Sequence, residues 1–316
     1  AAVQSFQPDL FTGRASTSIP IAVPPGRKGM QPNLALTYSS SGRNGWLGVG
    51  WSLDVGYIER GTKKGVPQYT LSDTFTFMFQ GVTSDLVRIP DGTYRAKDEG
   101  LFLRFEEKGV SGWEVRDKSG TRYRFGQTAA SQIEHLGQVF RWALEKVIDP
   151  QGNTVTFTYT KDQQQLYLSR IDSTGHETSG VQDRAPANRV EFSPEPRTDI
   201  DVSFRSGFAV TTALRLKEIA AYAQGQLARK YVLTYDTSVR TSRSLLTRVT
   251  HVGADGLARL PATTLAYQQA APTYTIVTPD TDAQTVMLSG DVDGNGISDL
   301  IRVAIGSIWK VTLAFA

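Results

Sequence analysis

The residues whose types and spacing most clearly indicate a chemical role lie in an acidic, glycine-rich stretch, GDVDGNGISDLI, at residues 290–301. Oxygen-bearing side chains alternate along this stretch, and Ca²⁺ is typically bound by such oxygens when a flexible loop wraps around the ion. The stretch therefore predicts a calcium loop. Its expected ligands are the side chains of Asp291, Asp293, Asn295 and Asp299 and the main-chain carbonyl of Ile297.

An EF-hand is a poor match for this loop. An EF-hand loop ends in a bidentate glutamate, whereas Arg302 stands at the corresponding position. The flanking stretches TVMLSG and LIRVAIG alternate as strands rather than helices. The loop resembles that of the FG-GAP or VCBS repeat, in which it joins two strands of a β-propeller blade. A purely structural turn, in which carboxylates accept from backbone amides, is the alternative to calcium binding.

No set of residues in the sequence favours catalysis. The histidines, His135, His176 and His251, lie in separate sequence neighbourhoods, which favours surface or turn roles over a zinc site. The absence of cysteine excludes disulfides, thiolate metal sites and cysteine nucleophiles. Neither a Gly-x-Ser-x-Gly elbow nor a Gly-Lys-Ser/Thr phosphate loop occurs. We therefore predict no enzyme activity and no catalytic residues, with a hydrolase of unfamiliar design as a distant alternative.

The composition of the chain limits the classes of partner that it can be expected to bind. The chain has 316 residues, of which 40% are hydrophobic and 21% charged, as is typical of a folded protein. The net charge is +3 and the basic residues are scattered, so we expect no nucleic-acid partner. No apolar run approaches the roughly 20 residues that a membrane helix needs, so no membrane span is expected. The chain begins with Ala-Ala rather than Met, which is compatible with a removed leader or preceding segment.

The elements that must position these residues are predicted to be strands. Period-two stretches such as TFTFMF, TVTFTYT and YVLTYD lie between clusters of Gly, Asp, Asn and Pro. A recurring cue is an Asp, then a Gly, then an alternating strand with aromatic residues, and it begins at Asp91, Asp117 and Asp149. Asp and Gly favour turns, so the cue predicts antiparallel hairpins in series and an all-β fold.

Three segments depart from this pattern. Residues 128–137 lack alternation and could form a short helix, whereas residues 214–232 are rich in helix formers but are interrupted by Gly225. The residues alone leave a helix and a hairpin turning at AQGQ equally open for that second segment. Residues 11–53 are rich in Pro and Gly around two expected short strands, and such segments usually seal a sheet edge or cap a barrel.

Long motifs within these segments resemble a known family. They include SIPIAVPPGRKGMQPNLALTYSSSGRNGWLGVGWSL, GTRYRFG, RWALEKVIDPQGNTVTFTY and RLKEIAAYAQGQLARKYVLTYD, in that order. Together they resemble the SpvB-type domain, which opens the insecticidal toxin-complex B subunits and the Salmonella virulence plasmid protein. The resemblance extends over about Phe11–Tyr267. It predicts an SpvB-like β domain at residues 1–275 and a partial FG-GAP/VCBS repeat at residues 276–316.

The resemblance implies a non-catalytic β domain. In toxin-complex B subunits this domain helps to build a hollow shell, together with a β-propeller and Rhs/YD repeats that enclose a toxic C-terminal cargo. The Salmonella relative carries its ADP-ribosyltransferase in a separate C-terminal part. For this chain the resemblance implies an extended, curved sheet or shell segment, ending in the first strands of a propeller-type repeat. It also favours the hairpin over the helix at residues 214–232.

The implied partners are the downstream propeller and Rhs-repeat regions of the same polypeptide and a toxin-complex C-type subunit. The implied location is extracellular, as part of a secreted bacterial toxin, and the implied cofactor is structural Ca²⁺ at residues 291–299. The main alternative is an extracellular adhesin or carbohydrate-binding module that uses the same β scaffold. An exposed aromatic patch would favour this alternative.

Overall fold

The fold was analysed in a computed structural model of the chain. The structure describes residues 14–268, together with the backbone of strands at residues 7–8, 284–290, 299–305 and 310–314. Two compact units are present: Ala1–Ser238 with Ser242–Ala266, and Tyr267–Ala316 with Val239–Thr241. The domain boundary predicted at residues 275 and 276 lies outside the described residues and stays a prediction.

The N-terminal segment forms a small antiparallel sheet and a tight hairpin. The sheet has the order β1–β2–β3–β6, and β4 pairs with β5 in the hairpin between β3 and β6. Buried residues alternate with more exposed ones along β2, as expected for a strand that packs on one face. The strands are β1 (Gln7–Pro8), β2 (Ala15–Ile21), β3 (Leu34–Ser39), β4 (Asn44–Gly45), β5 (Gly48–Val49) and β6 (Trp51–Ser52).

A closed barrel follows. Antiparallel pairs run in order from β7 to β13, then from β13 to β15, and β15 returns to β7 and closes the ring. The strands are β7 (Tyr57–Arg60), β8 (Phe75–Phe79), β9 (Val82–Arg88), β10 (Tyr94–Ala96), β11 (Arg104–Glu107), β12 (Trp113–Arg116), β13 (Arg122–Phe125), β14 (Gln132–His135) and β15 (Gln138–Ile148). Short 3₁₀ turns lie at Gly109–Ser111 and Ala129–Ser131.

Strand β15 also starts a second, long-stranded meander. Its residues 146–148 pair with β16, and the pairing then continues through β17, β19, β20, β21 and β22 to β23, while β18 extends β17 as a hairpin. The strands are β16 (Asn153–Asp162), β17 (Gln165–Thr178), β18 (Val181–Arg184), β19 (Asn188–Ser203), β20 (Val210–Ala223), β21 (Gln226–Thr237), β22 (Ser244–Val252) and β23 (Thr263–Thr264). The barrel and the meander therefore share one strand.

The last three strands form a separate antiparallel sheet. They are β24 (Gln284–Gly290), β25 (Asp299–Ile305) and β26 (Lys310–Ala314), in the order β24–β25–β26. Gly290 pairs with Asp299, so residues 291–298 connect two antiparallel strands. The strands predicted on both sides of the acidic loop are confirmed. Membership of a propeller stays a prediction.

Several of the hairpins close through two residues with positive φ. Such pairs occur at Gln80–Gly81, Gln163–Gln164, Ser179–Gly180 and Gln224–Gly225. Positive φ at both turn positions defines the type I′ geometry, whose twist matches that of the flanking strands. The turn at Gln224–Gly225 confirms the hairpin reading of residues 214–232, because cross-strand pairing prevails over the helix propensity of Ala and Leu.

The short helix considered for residues 128–137 is wrong. Only Ala129–Ser131 forms a 3₁₀ turn, and Gln132–His135 is strand β14, paired with β15. The turn between these two strands has positive φ at both Leu136 and Gly137. Helix propensity was a weak guide here because a neighbouring strand offered backbone hydrogen bonds.

The barrel interior is filled by aromatic side chains. Trp113, Phe77 and Phe105 are each no more than 1% exposed. The Phe75 and Trp113 rings meet edge-on with centroids 4.9 Å apart, a favoured aromatic geometry. The interior is therefore a packed core rather than a channel.

The N-terminal sheet shares one hydrophobic core with the barrel and the meander. Ile19 and Leu36 of the N-terminal sheet, Phe125 of the barrel, and Ile171 and Leu246 of the meander all belong to a single buried cluster. The N-terminal segment thus buries the apolar side chains of all three parts together. The all-β prediction of antiparallel hairpins in series is confirmed. The sequence predicted two short strands in residues 11–53, whereas residues 15–52 contain β2 to β6.

Candidate functional site

The strongest polar cluster in the described residues joins the N-terminal segment to the meander. Its members are Asn44 and Gly45 of β4, Arg197 and Asp199 of β19, and Ser244 at the start of β22. We call this cluster the seam. Its members are far apart in sequence, and three separate strands must be in place before the cluster forms.

Arg197 is the centre of the seam. Its side chain is 0% exposed, and its Nε and Nη2 donate to the two carboxylate oxygens of Asp199 at 2.9 and 2.6 Å. The remaining N–H groups of the guanidinium donate to the N-terminal segment. Nη1 donates to the Gly45 carbonyl at 2.6 Å, and Nη2 also donates to Asn44 Oδ1 at 2.6 Å. The guanidinium fork thus holds two elements at fixed positions.

Asp199 connects the same cluster to a third strand. Ser244 donates its backbone N–H to Asp199 Oδ2 at 2.6 Å and its hydroxyl to Oδ1 at 2.7 Å. Burial alone would raise the pKa of Asp199. Hydrogen bonds from Arg197 and from the side chain and backbone of Ser244 outweigh burial and hold that pKa well below the usual range for a carboxyl group. The carboxylate is therefore ionised at neutral pH.

A bulge in β19 presents the two charged residues. Pro196 pairs with Leu214 and Asp201 pairs with Thr212, so residues 197–200 stand opposite one residue of β20. Such an insertion bends a strand and redirects its side chains. The β4–β5 hairpin fits closely against β22, because a Cβ at Gly48 would lie 2.4 Å from the Ser244 carbonyl oxygen. Only glycine permits this approach.

Further contacts between backbone and side chains extend the attachment. The Leu216 N–H donates to the Trp46 carbonyl at 2.8 Å. The Ala22 N–H donates to the Tyr231 hydroxyl oxygen at 2.9 Å, and Asn188 donates its side-chain amide to the Pro25 carbonyl at 3.0 Å. The N-terminal segment is therefore attached to the meander at several places.

Two cavities adjoin the linker that leads from the N-terminal segment into the barrel. One, of about 250 Å³, is lined by residues that include Gln31, Asp54 and Tyr123. The other, of about 220 Å³, contains Trp46 and Arg141 among its lining residues. Arg141 already pairs with Glu59 and lies over the Tyr57 ring. Both cavities are smaller than the usual volume of about 300–1,000 Å³ for a small-molecule site.

Most of the predicted calcium ligands lie outside the residues that the structure describes. Asp291, Asp293, Asn295 and Ile297 lie outside the described residues, and only the backbone of Asp299 is described, as the first residue of β25. The calcium site therefore stays a prediction. Among the residues whose side chains are described, no group of three or more His, Asp or Glu side chains has the geometry to hold a metal ion.

The histidines do not converge. His176 contacts Asp183 at 2.6 Å, and this hydrogen bond raises the pKa of His176. His251 stacks on Tyr231 at 4.9 Å, and burial lowers its pKa. His135 lies near Phe208, at 5.5 Å between ring centroids. Each histidine thus serves a different local contact.

Sequence reasoning missed the seam. Arg197 and Asp199 are spaced two residues apart, like many exposed ion pairs on strands, so nothing in their types marked them as buried. The only local signal was the sequence Pro-x-Pro-Arg-x-Asp at residues 194–199, where two prolines interrupt an otherwise regular strand. Proline within a strand indicates an edge or a bulge, which is where β19 departs from regular pairing.

No helix in the described part of the chain is long and apolar enough to cross a bilayer.

Sequence comparison identifies similar proteins. Residues 10–192 match the profile of a family described as Salmonella virulence plasmid 65kDa B protein. The mono(ADP-ribosyl)transferase SpvB of Salmonella typhimurium is 30% identical over an aligned length of 176 residues, and the match covers 46% of this chain and 30% of that protein. The chain thus spans less than a third of the length of the curated relatives that it matches.

Structural comparison gives the same fold. The N-terminal domain of the effector protein SpvB from Salmonella typhimurium strain LT2 matches with a TM-score of 0.62 and 21% identity, over 79% of this chain and 99% of that domain. A crystal structure of TcdB2-TccC3 matches with a TM-score of 0.70 and 20% identity, over 98% of this chain and 20% of that chain. The Photorhabdus luminescens Tc holotoxin pore matches with a TM-score of 0.72 and 20% identity, over 95% and 19%.

Proposed function

The chain belongs to the Salmonella virulence plasmid 65kDa B protein family, and from this membership we propose that it is a non-catalytic structural module of a secreted toxin-complex or Rhs-type protein. In this proposal it contributes a section of β wall to a shell that encloses or delivers a toxic C-terminal cargo. Its partners are the downstream propeller and Rhs-repeat regions of the same polypeptide and a toxin-complex C-type subunit. Its location is extracellular.

The observation that carries the proposal is the buried seam. A wall must keep its parts in place without a ligand, and the seam fixes the N-terminal segment across the meander through Arg197 and Asp199. The packed barrel interior supports the same function, because a solid aromatic core leaves no channel through this part of the wall. The fold likeness to TcdB2-TccC3 and to the Tc holotoxin pore agrees with the proposal.

The relatives named as transferases do not extend that activity to this chain. The matched part covers 30% of each relative, and the solved SpvB structure that this chain resembles is that of the N-terminal domain. We therefore propose that any transferase activity belongs to another part of such polypeptides.

An adhesin or carbohydrate-binding module is the second candidate. The cavity that contains Trp46, Tyr57 and Arg141 favours it, because aromatic faces beside polar groups can bind sugars. The cavity volume of about 220 Å³ and the pairing of Arg141 with Glu59 make it the weaker candidate. A glycan array probed with the labelled chain tests it directly, and saturable binding that is lost in Trp46→Ala would replace the wall proposal.

Protection of a cargo tests the wall proposal. The chain is expressed within its complete polypeptide, together with a C-type subunit, and the assembly is treated with a protease. We expect the cargo to resist cleavage in the wild type and in the exposed control variant Asp98→Ala, and to be cut faster in Asp199→Asn, where the seam is broken. A cargo that is cut in the wild-type assembly as fast as free cargo contradicts the proposal.

We further propose that residues 291–299 bind Ca²⁺ and that the ion stabilises the β24–β25 connection. Hard carboxylate oxygens on a short connection between antiparallel strands support this proposal. Chelation of Ca²⁺ should lower the melting temperature of the C-terminal strands and leave the larger unit folded. Thermal melts with and without a chelator, for the wild type and for Asp293→Ala, measure this. Identical melts under all four conditions would contradict calcium binding.

A further inference from the structure

An exposed apolar stripe lies at the C-terminal end of β19 and on the residue that follows it. Ile200, Val202 and Phe204 are 57%, 48% and 64% exposed, whereas the residues between them are partly buried. Exposure thus alternates from Ile200, the last residue of the bulge, through Val202 to Phe204, the residue after β19, as expected for side chains on one face. Isolated exposed apolar residues are ordinary, but an aligned row of large ones on a strand marks a contact surface.

The same part of β19 has an open edge. On one side Asp201, Val202 and Ser203 pair with β20, and on the other side β19 pairs with β17 only through residues 188–191. Across the residues that the structure describes, no other strand pairs with residues 192–203. Open strand edges are templates on which a further strand can add.

The hydrogen-bond directions show which groups are available. Thr211, directly opposite Val202, donates its N–H to the Gln163 carbonyl at 3.1 Å, away from β19. Val202 and Thr211 therefore form a non-hydrogen-bonded pair, in which both residues direct their backbone groups outward. The N–H and C=O of Val202 thus point to the open edge, in the middle of the apolar stripe.

The rim of this surface is basic. Arg205 follows Phe204 directly, while Arg43 and Arg243 adjoin Asn44 and Ser244, which both contact Asp199 beside Ile200. None of these three arginines forms an ion pair with a described residue. Asp201 lies between Ile200 and Val202 without an ion pair to a described residue, so the three arginines outnumber the unpaired carboxylates on these stretches.

We propose that the open edge of β19 binds an extended acidic peptide segment of a partner protein, which adds to the sheet as a strand. Apolar side chains of that segment would pack on Ile200, Val202 and Phe204, and its acidic side chains would lie near Arg43, Arg205 and Arg243. The backbone of the segment would pair with Val202. This inference does not depend on the wall proposal, because a strand-adding surface can serve a wall, an adhesin or an enzyme equally.

The observations favour this occupant over two others. A second copy of this chain carries a net charge of +3, so the basic rims of two copies would repel each other. An anionic lipid surface would match the basic rim and the apolar stripe, but it would leave the backbone N–H of Val202 without an acceptor in an apolar layer. An extended peptide satisfies the apolar, charged and backbone groups together.

Fluorescence anisotropy with a labelled peptide of alternating valine and glutamate tests the proposal. We expect saturable binding to the chain, and about tenfold weaker binding to the double variant Val202→Ser/Phe204→Ser, because apolar contact area is lost. The matched control is Val181→Ser/Leu257→Ser, which removes two side chains that are 70% and 82% exposed at other places. This control should bind the peptide like the wild type, and circular dichroism melts verify that both variants fold.

Backbone methylation of the peptide tests strand addition itself. Methyl groups on the nitrogens of all valines block one peptide edge, and methyl groups on those of all glutamates block the other. One of the two methylated peptides should lose binding while the other retains it. Equal binding of both methylated peptides, or unchanged binding of the original peptide to Val202→Ser/Phe204→Ser, overturns the proposal.

Charge exchange and two parallel assays complete the design. The double variant Arg205→Glu/Arg243→Glu should prefer a peptide of alternating valine and lysine, and this result keeps the test valid if the serine variant unfolds. Dimerisation in analytical ultracentrifugation that is lost in the serine variant would assign the surface to a second copy instead. Binding to phosphatidylglycerol vesicles without binding to either peptide would assign it to a membrane. Either result overturns the peptide proposal.

Discussion

The barrel interior and the seam hold the molecule together by opposite means. The barrel packs Phe75, Trp113 and Trp142 into an apolar interior where ring contacts dominate. The seam buries charged and polar groups whose hydrogen bonds are specific in direction. Apolar packing is non-directional and tolerates rearrangement, whereas a buried guanidinium accepts only partners in the plane of its fork.

The difference shows how stability and specificity are divided in this chain. Most barrel strands pair with their neighbours in sequence, so an apolar interior of suitable volume can draw them together. The N-terminal segment must find one position across a long meander, and a misplaced Arg197 would leave its charge buried and unpaired. The polar seam thus destabilises misplaced arrangements of the N-terminal segment more than it stabilises the correct one.

The largest expected effect is in the barrel. Trp113→Ala removes a side chain that is 0% exposed and surrounded by other rings, and such truncations cost about 3–5 kcal/mol because the cavity left behind cannot collapse fully. Urea unfolding measured by circular dichroism gives the change in the free energy of unfolding. Leu71→Ala, at a fully exposed position, is the control and should change it little. A loss no greater than that of the control would show that the barrel is not a rigid core.

The seam should give the next largest effect. Asp199→Asn removes the carboxylate paired with the fully buried Arg197 side chain, which should cost about 3 kcal/mol. Limited proteolysis should show new cleavage first within residues 14–55, before the barrel is cut, since the seam attaches that segment. The exposed variant Asp98→Ala serves as the control. If cleavage begins in the barrel instead, the seam does not act as the attachment that the geometry indicates.

The pH dependence sharpens the comparison, because the contacts among the Phe75, Trp113 and Trp142 rings involve no ionisable side chain. The pKa of Asp199 is lowered in the folded state, so its stabilisation is complete above the ordinary carboxyl pKa of about 3.9 and is lost as pH falls through the folded-state value. The difference in unfolding free energy between the wild type and Asp199→Asn should be constant from neutral pH to about pH 5 and should narrow below about pH 4. A difference that widens with acidification would contradict the assignment.

The smallest expected effect lies in a barrel turn. Asp117 Oδ1 accepts from the N–H groups of Ser119 and Thr121, and Oδ2 accepts from the Tyr123 hydroxyl. Burial raises the pKa of Asp117, but these hydrogen bonds outweigh it and lower the pKa overall. Asp117→Ala should cost about 1.5 kcal/mol in urea unfolding, compared with almost nothing for Asp98→Ala. Equal effects of the two substitutions would show that the turn contributes no specific stability.

Local features of the fold could be predicted from the sequence, because they depend on neighbouring residues. The turns at Asp117 and Asp149 are examples: each Asp accepts from backbone amides two and four residues later, as the Asp–Gly cue indicates. The hairpin at Gln224–Gly225 is another, although the choice between hairpin and helix there depended on family resemblance. Alternation and turn chemistry were sufficient for strands such as β8, β16 and β21.

Features that depend on distant residues could not be predicted. Closure of the barrel requires β15 to pair with β7, more than 80 residues earlier, and no local pattern encodes that partner. The seam joins Asn44 to Arg197, 153 residues away. Arg, Asp, Asn and Ser are common on exposed strands, so their burial became visible only when the bulge in β19 and the β4–β5 hairpin were placed together.

The separation between Asn44 and Arg197 has a consequence during synthesis. At a translation rate of about 5–20 residues per second, the ribosome advances the 153 positions from Asn44 to Arg197 in roughly 8–30 s. Throughout that interval the apolar sides of β2 and β3 have left the ribosome before the meander that covers them exists. The nascent chain therefore has a period of aggregation risk that the finished protein does not have, and the demand for chaperones should be greatest before Arg197 emerges.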